Sequence, residues 1–192
     1  AGGGPGEGGG PHRGAGKLKE APVPPMVCFV GPSGAGKTTF LERLIAELSR
    51  RGYRVGTIKH HRGDFEIDRP GKDTWRHAQA GARAVCISSP RKVAVIRQVE
   101  EDLDPLAVAS LLGPVDIVLA EGYKEADLPQ VEVCRPGAGP LVGRKDRLVA
   151  VVGGEAEGLP VPRFSPAEVS AVADFLQRKF LTGRDSGGCG GG

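Results

Sequence analysis

Between residues 26 and 181 short apolar runs alternate with longer amphipathic ones, a pattern that predicts strands and helices in succession. Val27 to Val30 is apolar without interruption, as expected of a strand buried on both faces. It leads through a glycine-rich turn into a segment whose apolar residues Phe40, Leu41, Leu44, Ile45 and Leu48 share one helical face. A helix is therefore predicted from Lys37 to Arg51, with Gly52 as its left-handed stop. YRVGTIK (53–59) reads as the next strand, followed by the polar segment HHRGDFEIDRPGKD and a short helix around Trp75 to Ala80 that Gly81 ends.

ARAVCIS (82–88) and KVAVIRQV (92–99) are further apolar runs of strand length. In LDPLAVASLLG, Asp104 is the expected N-cap, Pro105 the first helical residue and Gly113 the terminator. VDIVLAE (115–121), QVEVCR (130–135) and RLVAVV (147–152) read as strands. The last helix opens on Ser165, Pro166 and Glu168, a capping-box pattern ahead of Val169, Val172, Leu176 and Phe180. Strands alternating with helices give the fold class: an α/β protein with a mostly parallel, doubly wound sheet.

Length and composition set the frame around these elements. A chain of 192 residues suits one domain, placed at 26–181. Of its 31 glycines, nine lie in residues 1–19 and six in 183–192, where almost nothing apolar accompanies them. Segments 1–25 and 182–192 are therefore expected to be disordered glycine-rich tails. The opening on Ala1 rather than Met is compatible with a trimmed chain whose glycine-rich start once joined another domain. No apolar run approaches the roughly 18 residues that cross a bilayer, and no signal peptide is visible, so a cytoplasmic protein without membrane contact is expected.

A net charge of +3 is too small to argue for nucleic acid. Cys28, Cys86, Cys134 and Cys189 lack metal-site spacing, and the first three sit in apolar runs where cysteine acts as a small hydrophobe.

The turn Gly31-Pro32-Ser33-Gly34-Ala35-Gly36-Lys37-Thr38 matches G-x-x-x-x-G-K-[ST] between a strand and a helix, the signature of a phosphate-binding P-loop. Glycines let successive N–H groups curl around phosphate oxygens, and the following helix presents unpaired donors and its positive dipole end. The nucleotide-binding candidates are Gly31, Ser33, Gly34, Ala35, Gly36, Lys37, Thr38 and Thr39. Lys37 is expected on the β- and γ-phosphates and Thr38 on Mg²⁺, with Thr39 near the α-phosphate.

Such a site also needs a carboxylate at the end of a neighbouring strand, and VDIVLAE ends in Glu121. Glu121 and Lys37 are the candidate catalytic groups; Thr38, Asp68 and Glu121 are the candidate metal ligands, with Asp64 as a further loop carboxylate. Asp116 lies at the wrong end of its strand for that task. Adjacent His60 and His61 on a strand end point opposite ways, which argues against a metal pair. Lys59, Arg62, Arg69, Lys72 and Arg76 form a basic cluster that suits either a second phosphorylated ligand or a solvated face. Trp75 is expected to pack its helix against the sheet.

Three segments narrow the reading: GPSGAGKTT, IKHHRGDFEIDRPGKDTWRHAQAGA from Ile58, and LAEGYK ending at Lys124. With these the chain resembles the molybdopterin-guanine dinucleotide biosynthesis adapter (MobB) family over roughly residues 26–181. The resemblance implies a homodimeric GTP- and Mg²⁺-binding adapter of molybdenum cofactor biosynthesis with feeble GTPase activity. It would work beside the guanylyltransferase, and with molybdopterin-bearing proteins, without being the transferase itself. It also implies that Gly31 to Thr39 hold phosphates and magnesium, that Asp64 to Asp73 form a loop of variable conformation, and that Glu121 faces the metal.

The chain departs from the family pattern at VAVVGGE from Val149, where relatives often carry an acid in a pattern like V-A-S-D. It also lacks the N-K-x-D element by which switch GTPases select guanine. Guanine preference therefore comes from the resemblance alone. With no arginine finger or water-positioning glutamine visible beside the loop, slow hydrolysis is expected. The rival readings are a small-molecule kinase built on the same loop, with residues 60–73 or 135–147 as its lid, and a metallochaperone-type GTPase.

Overall fold

The computed structural model describes residues 23–135, 137, 141–154, 158 and 160–182. Apart from residues 23–25 and 182, the two expected tails lie outside the described residues, as does Cys189.

Strand β1 (Met26–Val30) is buried at all five positions and runs up the middle of the protein. Then come α1 (Lys37–Arg50), β2 (Val55–Lys59), α2 (Asp73–Gln79), β3 (Ala84–Ser89) and β4 (Lys92–Arg97). The chain continues with α3 (Pro105–Ser110), β5 (Ile117–Glu121), β6 (Gln130–Val133), β7 (Leu148–Val152) and the short β8 (Arg163–Phe164). Last is α4 (Val169–Leu176), which runs on as a π-helical turn over Gln177–Leu181.

Six strands form one sheet in the order β2-β5-β1-β6-β7-β8, and every pairing in it is parallel. The α/β fold with a doubly covered sheet is thus as expected. Alternation along β1 splits the core in two. Val27 and Phe29 face α1 and α4, packing with Leu44, Leu48, Val172 and Leu176, none of which is exposed to solvent. Met26, Cys28 and Val30 face the other way, with Val118, Ala120 and Ala109 of α3. Burial pushes the Cys28 thiol up to about 12, so it stays protonated as a packing group.

The second face is lightly covered by helix, and polar side chains of β6 complete it. Gln130 and Glu132 stand beside Cys28 and Val30 in register and are fully buried. The Gln130 amide donates to the carbonyls of Lys124 (2.9 Å) and Ala126 (3.3 Å), and its oxygen accepts from Arg144 N–H at 2.9 Å. Glu132 accepts from the N–H groups of Val142 (2.7 Å) and Gly143 (3.0 Å). Irregular backbone can cover a sheet only if its polar groups find partners, and these two side chains supply them. Gly143 must be glycine there, since a Cβ would lie 2.7 Å from Gln130 Oε1 and 2.8 Å from Val30 Cγ2.

Two expectations are revised. β3 and β4 do not join the parallel sheet; they pair antiparallel as a separate hairpin across Pro90-Arg91. Cys86, read as a buried small hydrophobe, is exposed on it. Helix α2 packs against β3 rather than the main sheet and buries none of its residues, leaving Trp75 half-buried. The reason is common to both: a two-residue link forces antiparallel pairing, and α2 follows the hairpin it precedes. Asp116 sits at the entry of β5, where its carboxylate takes the Arg54 backbone N–H (2.7 Å) and guanidinium (2.8 Å), a structural pair at the far end from the P-loop.

Candidate functional site

The P-loop leaves β1 at the centre of the sheet's C-terminal edge, where a doubly wound fold places its ligands. Gly31 has φ +142°, and a Cβ built on it would lie 2.2 Å from the Val133 carbonyl oxygen at the exit of β6. Only glycine lets the two backbones pass so closely. Gly34 (φ 71°) and Gly36 (φ 92°) adopt left-handed conformations that curl the loop, and Phe40 N–H closes the first helical bond onto Gly36 at 2.9 Å.

Helix α1 starts with no side-chain cap and no acidic residue in its first turn. Its leading N–H groups are left for a ligand, and anions are the ligands that suit them. Lys37 bends back over the loop, donating from Nζ to the carbonyls of Gly31 (2.9 Å) and Pro32 (2.8 Å). Ser33, Thr38 and Thr39 are exposed and Ala35 is buried beneath the loop.

Thr38 and Glu121, distant in sequence, meet here: Thr38 Oγ1 donates to Glu121 Oε2 at 3.0 Å. Lys59 at the end of β2 donates to the other carboxylate oxygen at 2.9 Å. Partial burial raises the Glu121 pKa, but the Lys59 and Thr38 hydrogen bonds and the nearby ammonium charges outweigh it, holding the carboxyl below its ordinary range. A depressed pKa stabilises the fold above the usual Glu value of about 4.3, and that contribution disappears as pH falls through the native value. Urea midpoints measured from about pH 5 to about pH 3 are expected to fall more steeply for the wild-type chain than for Glu121→Gln; parallel curves would contradict the pairing.

A hydroxyl, a carboxylate and open space for water and phosphate oxygens are the hard donors Mg²⁺ takes, so Thr38 and Glu121 fit that ion. Among the described residues Asp68 makes no hydrogen bond to either. Among the described residues its Oδ1 accepts from Arg69 N–H at 2.8 Å while Oδ2 is buried without a partner. Asp64 similarly binds the next residue's N–H. Among the described residues no three His, Cys, Asp or Glu side chains are grouped so as to hold a metal ion.

His60 is half-buried and His61 is exposed. His60 stacks on Tyr123 at 4.2 Å between centroids, and its Nε2 lies 2.9 Å from Asp102. Tyr123 has φ 56°, the only non-glycine residue with positive φ among those described, and follows Gly122 at φ 112°. This stack walls a cavity of about 1080 Å³ that Gly31, Asp64 and Arg62 also line, directly beside the P-loop. Of the basic cluster, Lys59 is accounted for by Glu121; Arg69, Lys72 and Arg76 are exposed.

Sequence reasoning missed Lys59 as a partner of Glu121, the His60–Tyr123 stack, the Gln130–Glu132 clasp and Arg135, whose Nη2 lies 3.9 Å from where a Cβ on Gly34 would stand. Only Lys59 had a sequence signal, being the last residue of the strand beside Glu121's.

Comparison with known proteins identifies the chain's relatives. Residues 26–154 match the family described as "Molybdopterin guanine dinucleotide synthesis protein B". The chain is 35% identical over 159 residues to the molybdopterin-guanine dinucleotide biosynthesis adapter protein of Escherichia coli K12, covering 79% of this chain and 91% of that one. The Bacillus subtilis MobB crystal structure superimposes with a TM-score of 0.65 at 26% identity, covering 81% of this chain and 98% of that chain. A crystal structure of molybdopterin-guanine biosynthesis protein B gives 0.60 at 29% identity, covering 80% and 98%. With its P-loop, its sheet order and these likenesses together, the chain belongs to the MobB family.

Proposed function

We propose that this chain is a GTP-binding adapter in molybdopterin guanine dinucleotide synthesis, with Mg²⁺ held by Thr38 and Glu121 and the polyphosphate by Gly31 to Thr39. The observation that carries the reading is the uncapped start of α1 under a glycine loop, with Lys37 and the Thr38–Glu121–Lys59 group around it. When bound, the metal neutralises phosphate charge; the chain's own groups position the polyphosphate.

Intrinsic hydrolysis is slow in this account. Glu121 has both oxygens engaged and a depressed pKa, which makes it a weak base for activating water. GTP then acts mainly as a ligand that selects one conformation of the surrounding loops. The partner is the guanylyltransferase that completes the dinucleotide, and the test is its association with this chain. A complex that tightens with GTP and Mg²⁺ is expected; no complex with or without nucleotide would contradict the adapter role.

The cavity beside Gly31 favours a second reading, a kinase whose small acceptor sits there. Nucleotide turnover that rises strongly with a small acceptor would select it over the adapter.

The β3–β4 hairpin supports a homodimer. Val93 and Val95 (62% and 64% exposed) share one face with Cys86, and Ile87 (61%) lies on the other. A lone two-stranded hairpin is marginal in water, and apolar exposure on both faces calls for a covering surface. A second copy of the chain is that surface in this account. Light scattering is expected to give a dimer for the wild type and a monomer for Val93→Lys/Val95→Lys; a monomeric wild type would overturn it.

A further inference from the structure

We propose that Arg135, at the exit of β6, is a nucleotide-binding residue that clamps the α- and β-phosphates from the side of the loop opposite Glu121. The assignment rests on the P-loop reading above and adds to it a cation from a different strand.

Position is the first argument. A Cβ built on Gly34, in the middle of the P-loop, would lie 3.9 Å from Arg135 Nη2. That reach follows from backbone packing. The β6 exit touches the loop where Gly31 passes the Val133 carbonyl, and Cys134 N–H bonds to Val152 O at 2.9 Å, fixing the chain just before Arg135.

Space is the second. β7 is followed by Gly153 and Gly154, both left-handed (φ 70° and 65°), with backbone so close to the exit of β6 that a Cβ would meet Cys134 O at 2.3 Å or Cys134 Cβ at 2.6 Å. Glycine at both positions therefore adds no side chain of its own beside Arg135, and the Arg163 guanidinium, donating to the Gly154 carbonyl at 3.4 Å, is a further cation nearby.

Charge is the third. Several arginines in this fold have carboxylate partners, among them Arg51 with Asp174, Arg54 with Asp116 and Arg144 with Asp146. Arg135 is exposed and has no ion-pair partner among the described residues. It instead faces a loop that already holds Lys37 and a helix N-terminus without a first-turn acid. Cations converging on one glycine loop are mutually unfavourable until an anion joins them, and the loop's own N–H groups recognise phosphate.

The test is equilibrium binding of GTP, GDP and guanosine, each with Mg²⁺, to the full chain carrying Arg135→Ala or Arg135→Lys. A charge-assisted bond to phosphate makes Arg135→Ala weaken GTP and GDP by about 10- to 100-fold and leaves guanosine unchanged. Arg135→Lys recovers part of the loss, because it keeps the charge without the planar fork. The residue is exposed, so both variants are expected to melt with the wild type. Two results would overturn the assignment: GTP affinity within about twofold of wild type in Arg135→Ala while Lys37→Ala is impaired, or an equal loss for guanosine, which would put the guanidinium on the base. If Lys37→Ala also binds normally, the P-loop reading itself falls and takes Arg135 with it.

Discussion

Replacing Lys37 with alanine will remove the thermal stabilisation that GTP and Mg²⁺ give this chain, while the melting temperature without ligand stays close to that of the wild type. In the free protein Lys37 makes two hydrogen bonds, to the Gly31 and Pro32 carbonyls at the edge of solvent. Those carbonyls turn to water when the ammonium is removed, so the fold loses little. In the complex the same ammonium lies against phosphate, where charge-assisted bonds are strongest, and its loss weakens binding on the order of 100-fold. Ligand at 100 times its dissociation constant adds about 2.7 kcal/mol to the native state, on the order of 5 to 10 °C for a domain of this size. Differential scanning fluorimetry with and without GTP reads both halves; a shift retained in Lys37→Ala would remove Lys37 from the site.

The second large effect is on stability and lies away from the loop. Glu132→Gln will destabilise the fold by about 1 to 3 kcal/mol, although the side chain barely changes size. Glu132 is fully buried, and its two oxygens each accept one backbone N–H, from Val142 and Gly143. An amide offers one oxygen and one NH₂, so one N–H is left facing another donor in a dry site. The loop so loosened is the one that covers β6 and leads to β7, next to the Arg135 exit. Urea unfolding is expected to show a lower midpoint with an unchanged slope; an unchanged midpoint would mean that water serves these groups and that the clasp is dispensable.

What could be read from the sequence divides along physical lines. The P-loop, the helix after it and Glu121 at the end of an apolar strand were legible because each depends on spacing within one short stretch. The pairing of Thr38 with Glu121 followed once β1 and β5 were adjacent. The hairpin was misjudged because ARAVCIS and KVAVIRQV have the composition of core strands; the two-residue link Pro90-Arg91 was the signal that they turn back on each other. Asp68 was a metal candidate by charge and loop position; one of its oxygens accepts its own neighbour's N–H and the other is buried without a partner among the described residues.

Gln130 and Glu132 alternate with valines in a way that ordinarily marks a solvated face. They are buried because loop backbone, whose path no local pattern reveals, needed partners there. Arg135 is a similar case, since its relation to Gly34 exists only after β6 has been laid beside β1.

The most direct test of the account is a calorimetric titration of GTP into the wild-type chain with and without Mg²⁺. One nucleotide bound per chain, with affinity that drops when magnesium is withheld and binding that competes with GDP, is the expected result. Absence of binding at millimolar GTP in the presence of magnesium would contradict the claim that this turn between β1 and α1 holds a nucleotide polyphosphate.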